Sequence, residues 1–132
     1  MSTSNQSCPI KPKQNLANSF KTAGNGIGTG LVCERNFQIH LILAVVAIIL
    51  LLWLGASLVE WAIIVLAIVT VMSLELVNTA LEKLIDFLNP DIHPTIKVVK
   101  DMVGGAVLIA AIGAAAVGCL IILPKIITAV AG

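Results

Sequence analysis

"LVEWAIIVLAIVTVMSLELVNTALEKLIDFL", residues Leu58 to Leu88, contains neither proline nor glycine and changes character partway along. Up to Leu74 it is almost wholly apolar; beyond that it carries Glu75, Asn78, Glu82 and Asp86. As a single helix it has about 30 residues and a length near 45 Å. The hydrocarbon core of a bilayer is only about 30 Å thick, so the last turns must leave it. The polar residues of those turns share a face: at 100° per residue, offsets of 0, 3, 7 and 11 fall within an arc of about 80°. Glu75, Asn78, Glu82 and Asp86 therefore form one line about 16 Å long, with Leu76, Val77, Leu81, Leu84 and Ile85 covering the other faces.

Composition explains why the first half of this stretch needs a lipid solvent. The chain has 132 residues, 58% of them hydrophobic and 11% charged. A soluble domain carries roughly a quarter of its residues as charges. Too few polar groups are present to cover this chain in water, and its length allows one domain. A formal net charge of +1, without a basic run, excludes a nucleic-acid footprint. Cys8, Cys33 and Cys119 are widely spaced and form no metal-ligand pattern, so they read as free thiols in a reducing compartment.

Two further spans flank the central one. "LILAVVAIILLLWL", Leu41 to Leu54, has no polar side chain, and extended over 37–55 it is about 28 Å long. "GAS", Gly55 to Ser57, is a tight connection, with Glu60 and Trp61 at the interface beyond it. "NPDIHP", Asn89 to Pro94, is a turn, because proline disfavours helix at the residue before it. The third span, about 102–123, has no charge between Asp101 and Lys125. Its Gly105, Gly113, Gly118 and many alanines predict a close-packing surface, within or between subunits. The expected architecture is all-α and integral to the membrane, with spans at 37–55, 58–88 and 102–123 in a domain over 16–132. Residues 1–15 read as a disordered leader, since they lack the apolar core of a signal peptide. Lys11, Lys13, Lys21 and Arg35 precede the first span, and Lys83, Lys97 and Lys100 flank the second turn. The positive-inside rule places these regions in the cytoplasm and the C-terminus outside.

An acid near the bilayer centre costs about 2.5–3.5 kcal/mol on insertion scales. Glu82 and Asp86 alone could be a solvated helix end, and Glu75 with Asn78 an interhelical hydrogen-bonding pair. A face shared by all four points instead to a site. Glu34, Arg35, Asn36, Gln38 and His40 in "CERNFQIH" precede the first span, and Lys97, Lys100 and Asp101 precede the third. A short-loop bundle brings these groups to one depth. Carboxylates and amides suit a hard divalent cation, lysine offsets phosphate charge, and a carboxylate can take a proton from a hydroxyl. The expected chemistry is phosphoryl transfer from Mg-nucleotide to a lipid alcohol.

"ELVNTALEKLID" at Glu75 to Asp86 resembles the signature E-[ILV]-x-N-[ST]-A-[IL]-E of the prokaryotic diacylglycerol kinases, small membrane lipid kinases that include undecaprenol kinases. "KDMVGGAVLIAA" from Lys100 and "ERNFQIH" from Glu34 are similar to two further blocks of that family, in the same order. The likeness extends roughly from Ser19 to Lys125. It implies a homotrimer of the bacterial inner membrane that uses ATP and Mg2+, with an amphipathic surface helix before the first span. By position, Glu75 matches the catalytic base, and Glu34 and Glu82 match the carboxylates that hold the metal with ATP. Asn78, Lys100 and Asp101 match the phosphate region, and Asp86 and His93 the nucleotide side. The family usually has basic and aromatic residues in its surface helix. Here "FKTAGNGIGTGLVC" has four glycines, and Lys21, its only charge, stands for the basic contact to ATP.

The glycines at 24, 26, 28 and 30 lack the GK[ST] ending of a phosphate-binding loop and read as places of close backbone approach. His40 reads as an interfacial hydrogen-bonding residue, and Trp53 and Trp61 as interfacial anchors. "ERNFQIH" leans toward undecaprenol over diacylglycerol as the lipid alcohol. Two other classes compete: an ion or proton carrier, which needs ionisable residues deep in several spans, and a non-catalytic packing subunit.

Overall fold

A computed structural model describes residues 15–88 and 94–131 as four helices. They are α1 (Leu16–Cys33), α2 (Arg35–Trp53), α3 (Leu58–Leu88) and α4 (Pro94–Ala131). The last three are long and apolar enough to cross a membrane. Apart from Asn15, the expected leader lies outside the described residues, as do residues 89–93 of the second turn.

The connection between α2 and α3 is built residue by residue. Gly55 has φ +59°, a left-handed conformation that disfavours any side chain. That reversal lets Ala56 N–H donate to Leu51 O at 3.1 Å and Leu54 N–H to Leu50 O at 2.9 Å, closing carbonyls that α2 would leave open. Ser57 and Glu60 then form a capping box for α3. Ser57 N–H and Oγ–H donate to Glu60 Oε2 at 2.6 and 2.8 Å, and Glu60 N–H donates back to Ser57 Oγ at 3.4 Å. Three residues thus stop one helix, reverse the chain and start the next.

The elbow between α1 and α2 is held differently. Glu34 is extended, and its N–H still donates to Gly30 O at 3.1 Å. Gln38 reaches back from α2, its Nε2 donating to Leu31 O at 2.9 Å and to Val32 O at 3.4 Å, so the end of α1 is capped from outside. Gly30 is buried here, and a Cβ on it would lie 2.8 Å from Leu76 Cδ2 on α3. The expectation of close approach therefore holds at Gly30. At Gly24, Gly26 and Gly28 no atom of the described chain lies within 4 Å of a would-be Cβ, so no neighbouring helix of the same chain approaches there. α1 is nonetheless helical throughout its 18 residues.

α3 and α4 lie antiparallel and share the most extensive packing. An ion pair closes each end, Lys100 Nζ to Asp86 Oδ1 at 2.8 Å and Lys125 Nζ to Glu60 Oε2 at 3.1 Å. The two helical segments between these pairs match in length, about 39 and 38 Å. α4 runs well beyond the 102–123 expected for the third span. Pro94 opens it, at a position where no N–H is needed. Pro124 sits inside it, with Thr128 Oγ1 donating to the Pro124 carbonyl at 2.9 Å. α2 starts two residues before the expected 37–55 span and stops two short of its end. Within the chain, Gly105, Gly113 and Gly118 have nothing within 4 Å of a would-be Cβ, so of the two expected packing modes, within or between subunits, the described chain supplies no close contact at these glycines.

Few side chains are fully enclosed: Phe37, Ala44, Leu51, Ile64, Val71 and Val107 among the apolar ones. Leu66, Ile109 and Leu120 are examples of large side chains left open, each more than 60% exposed. In water such a surface would aggregate; against lipid tails it is at no disadvantage.

Candidate functional site

Glu75 and Asn78 are the buried polar residues of the described chain, 3% and 8% exposed. Both come from the apolar-to-polar transition of α3. Facing Glu75 from α2 is His40, its Nε2 3.2 Å from Glu75 Oε1. One turn further, Asn78 Nδ2 donates to Glu82 Oε1 at 3.1 Å, the i,i+4 relation that the stripe requires. Asn78 Oδ1 is buried and finds no hydrogen-bond partner among the described residues.

Beyond Asn78 the line meets two lysines. Lys83 Nζ donates to Glu34 Oε1 at 2.6 Å, tying the α1–α2 elbow to α3. Lys100 Nζ donates to Asp86 Oδ1 at 2.8 Å, tying α4 to the same helix. Both lysines also feel the charge of Glu82, which lies between the two pairs. Acids and lysines thus alternate around the polar end of α3, with Glu82 shared and Asn78 Oδ1 unused.

One turn before Glu75, at Val71 and Met72, α3 becomes the wall of an apolar space that His40 also lines. A cavity of about 250 Å³ lies between α2, α3 and α4, with His40 among its walls. Its other lining residues include Ala44, Ala47, Val71, Met72, Ala114 and Gly118. The small residues of α4, which leave its glycines unpacked, leave this space open.

The structure brings Glu34, Glu75, Asn78, Glu82, Asp86 and Lys100 to this one end of the bundle. Lys21 and Asp101 are exposed, on α1 and α4, and neither makes an ion pair among the described residues. His93 lies outside the described residues. Two contacts had no local signal in the sequence, His40 with Glu75 and Lys83 with Glu34. Counting residues outward from "GAS" puts His40 and Glu75 within about one helical turn of the same depth, which could have paired them. For Lys83 no comparable count exists, because the elbow at Glu34 intervenes.

Among the described residues no group of three or more His, Cys, Asp or Glu side chains is arranged to hold a metal ion. Glu82 and the unpartnered oxygen of Asn78, one turn apart on α3, are hard oxygen donors of the type a divalent cation takes.

Comparison with known proteins identifies the family. The family profile described as "Prokaryotic diacylglycerol kinase" matches residues 21–122. The chain is similar to an undecaprenol kinase of Bacillus subtilis, with 42% identity over 82% of this chain and 88% of the relative. It is also similar to a diacylglycerol kinase of Synechocystis, at 37% identity over 86% of this chain and 66% of that longer protein. A diacylglycerol kinase of Escherichia coli is 27% identical over 78% of this chain and 87% of its own length. With its three membrane-length helices and a match over most of its length, the chain belongs to the prokaryotic diacylglycerol kinase family of membrane lipid kinases.

Proposed function

We propose that the polar end of α3 is the site at which the γ-phosphoryl group of ATP passes to the hydroxyl of a membrane lipid alcohol. The observation that carries this is the position of Glu75. It is a carboxylate 3% exposed, in contact with His40 of the apolar cavity wall on one side and followed along α3 by the alternating acids and lysines on the other. A lipid alcohol reaches it from the first side and a nucleotide from the second.

In this reading the alcohol oxygen attacks the γ-phosphorus, and the hydroxyl proton passes to Glu75. The bond from phosphorus to the bridging oxygen breaks, and ADP leaves. Lys100 exchanges Asp86 for the transferring phosphoryl group and offsets its charge. Glu34 and Glu82 would hold Mg2+, with Asn78 Oδ1 as a further oxygen donor; when bound, the ion neutralises charge on the phosphates. Lys21, Asp86, His93 and Asp101 supply the nucleotide side. The chain works as a homotrimer in the bacterial cytoplasmic membrane, with this end in the cytoplasm. Support for assembly is the large apolar surface left open on the single chain, and support for orientation is the clustering of lysine and arginine at this end.

The cavity favours undecaprenol over diacylglycerol. Among the described residues its walls carry no polar side chain except His40. A polyprenol has hydrocarbon directly behind its hydroxyl, whereas diacylglycerol has two esters there that would find few donors.

The test is phosphate transfer by purified protein in liposomes with MgATP and each alcohol. Transfer by wild type, stronger with undecaprenol, and a fall of about 10²–10⁴-fold in Glu75→Gln are expected for loss of a general base. No transfer by wild type, or undiminished transfer by Glu75→Gln, defeats the reading.

A further inference from the structure

His40 is the one ionisable side chain among the described residues lining the cavity, and the same ring reaches the carboxylate proposed as base. Its own side chain is 21% exposed, whereas that of Glu75 is 4% exposed. The two groups come from different helices, so their contact depends on how α2 packs on α3. A glutamate has three rotatable bonds, and in apolar surroundings its charged end tends to turn toward the nearest water or cation. One turn along α3, Asn78 gives one of its two amide N–H groups to Glu82. His40 supplies the restraint from the other side.

We propose that His40 is a positioning residue for phosphoryl transfer. Its imidazole holds one carboxylate oxygen of Glu75, so that the other faces the hydroxyl arriving along the cavity. The contact is 3.2 Å, within hydrogen-bonding reach of the carboxylate. His40 contributes no proton to the balance of the reaction; the alcohol proton goes to Glu75. This role rests on the reading of Glu75 as base.

The experiment compares His40→Leu, His40→Gln, Glu75→Asp and the double variant His40→Leu/Glu75→Asp with wild type, in liposomes with MgATP and undecaprenol. In His40→Leu, kcat should fall about 10–100-fold, as when a partner that orients a metal-bound histidine is lost. KM for MgATP should stay unchanged, since the nucleotide contacts lie further along α3. His40→Gln, which keeps an N–H donor, should recover part of the loss. In Glu75→Asp the shorter side chain withdraws the carboxylate from His40, so adding His40→Leu should cost little more. A wild-type kcat in His40→Leu overturns the proposal. So does an equal loss from His40→Leu whether Glu75 is intact or already changed to aspartate, which is what a general packing defect produces. Melting in detergent is followed for each protein; if His40→Leu unfolds at the assay temperature, His40→Asn carries the same cycle. Full turnover by Glu75→Gln would remove the base and His40's role together, whereas an inactive Glu75→Gln beside an undiminished His40→Leu removes His40's role alone.

Discussion

The two ends of α3 each concentrate charge, and they use it in opposite ways. At the first, Glu60 Oε2 accepts from Ser57 N–H, from Ser57 Oγ–H and from Lys125. Every contact there starts a helix or ties α3 to α4. At the other end Glu75 is enclosed with one histidine at contact distance, Asn78 Oδ1 has no partner among the described residues, and Glu82 lies between two lysines already paired elsewhere. A buried acceptor without a partner costs roughly 1–3 kcal/mol. Helix packing needs no such expense, because leucine would fill the position more favourably. Charge is satisfied at the first end and left with spare valence at the second, where the chemistry is proposed.

Parallel substitutions can break that contrast. Glu75→Gln should show the largest effect, a loss of about 10²–10⁴-fold in turnover, while Glu60→Gln leaves turnover at the wild-type level; both are read from the same liposome assay. Asn78→Leu comes next. If Asn78 Oδ1 meets the proposed charged ligand, losing it costs about 1.5–3 kcal/mol, or about 10–100-fold in rate. Its melting temperature should nevertheless not fall, because the unsatisfied acceptor goes with the amide and Glu82 remains in reach of water. A protein that loses both activity and stability on this change would make Asn78 a packing residue.

Much of this contrast was legible in the sequence alone. Uninterrupted apolar runs around 41–54 and 102–123 can only be spans, and the spacing of Glu75, Asn78, Glu82 and Asp86 defines a face whatever the tertiary packing. Helix ends were less legible. Pro124 lies within α4, whose length runs past what an apolar run reveals. Contacts between helices were legible only through counting. His40 and Glu75 are paired by their distance from one tight turn, but Lys83 and Glu34 are 49 residues apart across an elbow whose angle depends on Gly30, Phe37 and Leu76 packing together. Local pattern determines which residues share a helix face; it does not determine which neighbour that face meets.

The glycines of α1 test the site's approach more gently. Alanine at 24, 26 or 28 meets nothing within 4 Å, so each change should raise stability by up to about 1 kcal/mol through helix propensity alone. At Gly30 the same gain is offset, because the new methyl group would displace Leu76, which lies between Glu75 and Asn78 along α3. Thermal melts of the four single variants should therefore separate Gly30→Ala from the other three. A lower melting temperature for Gly24→Ala, Gly26→Ala and Gly28→Ala would mean instead that another surface covers that side of α1.

Lys125→Met should have the smallest effect. Lys125 is 3.1 Å from Glu60, and both side chains are about a quarter exposed. Removing the ammonium leaves no stranded charge, because Glu60 keeps both hydrogen bonds from Ser57. Methionine preserves the apolar stem against Trp53, Leu120 and Pro124, the residues around it. What remains is the modest contribution of a solvent-accessible pair, so the melting temperature should drop slightly and turnover stay at the wild-type level. Lys100→Met removes a lysine from the opposite end of the same helix pair, where its partner Asp86 is 66% exposed. Stability should again change little, yet turnover should fall, because the proposed reaction gives that cation a phosphate to meet. Equal turnover in the two variants would show that α3's ends differ in satisfaction but not in function.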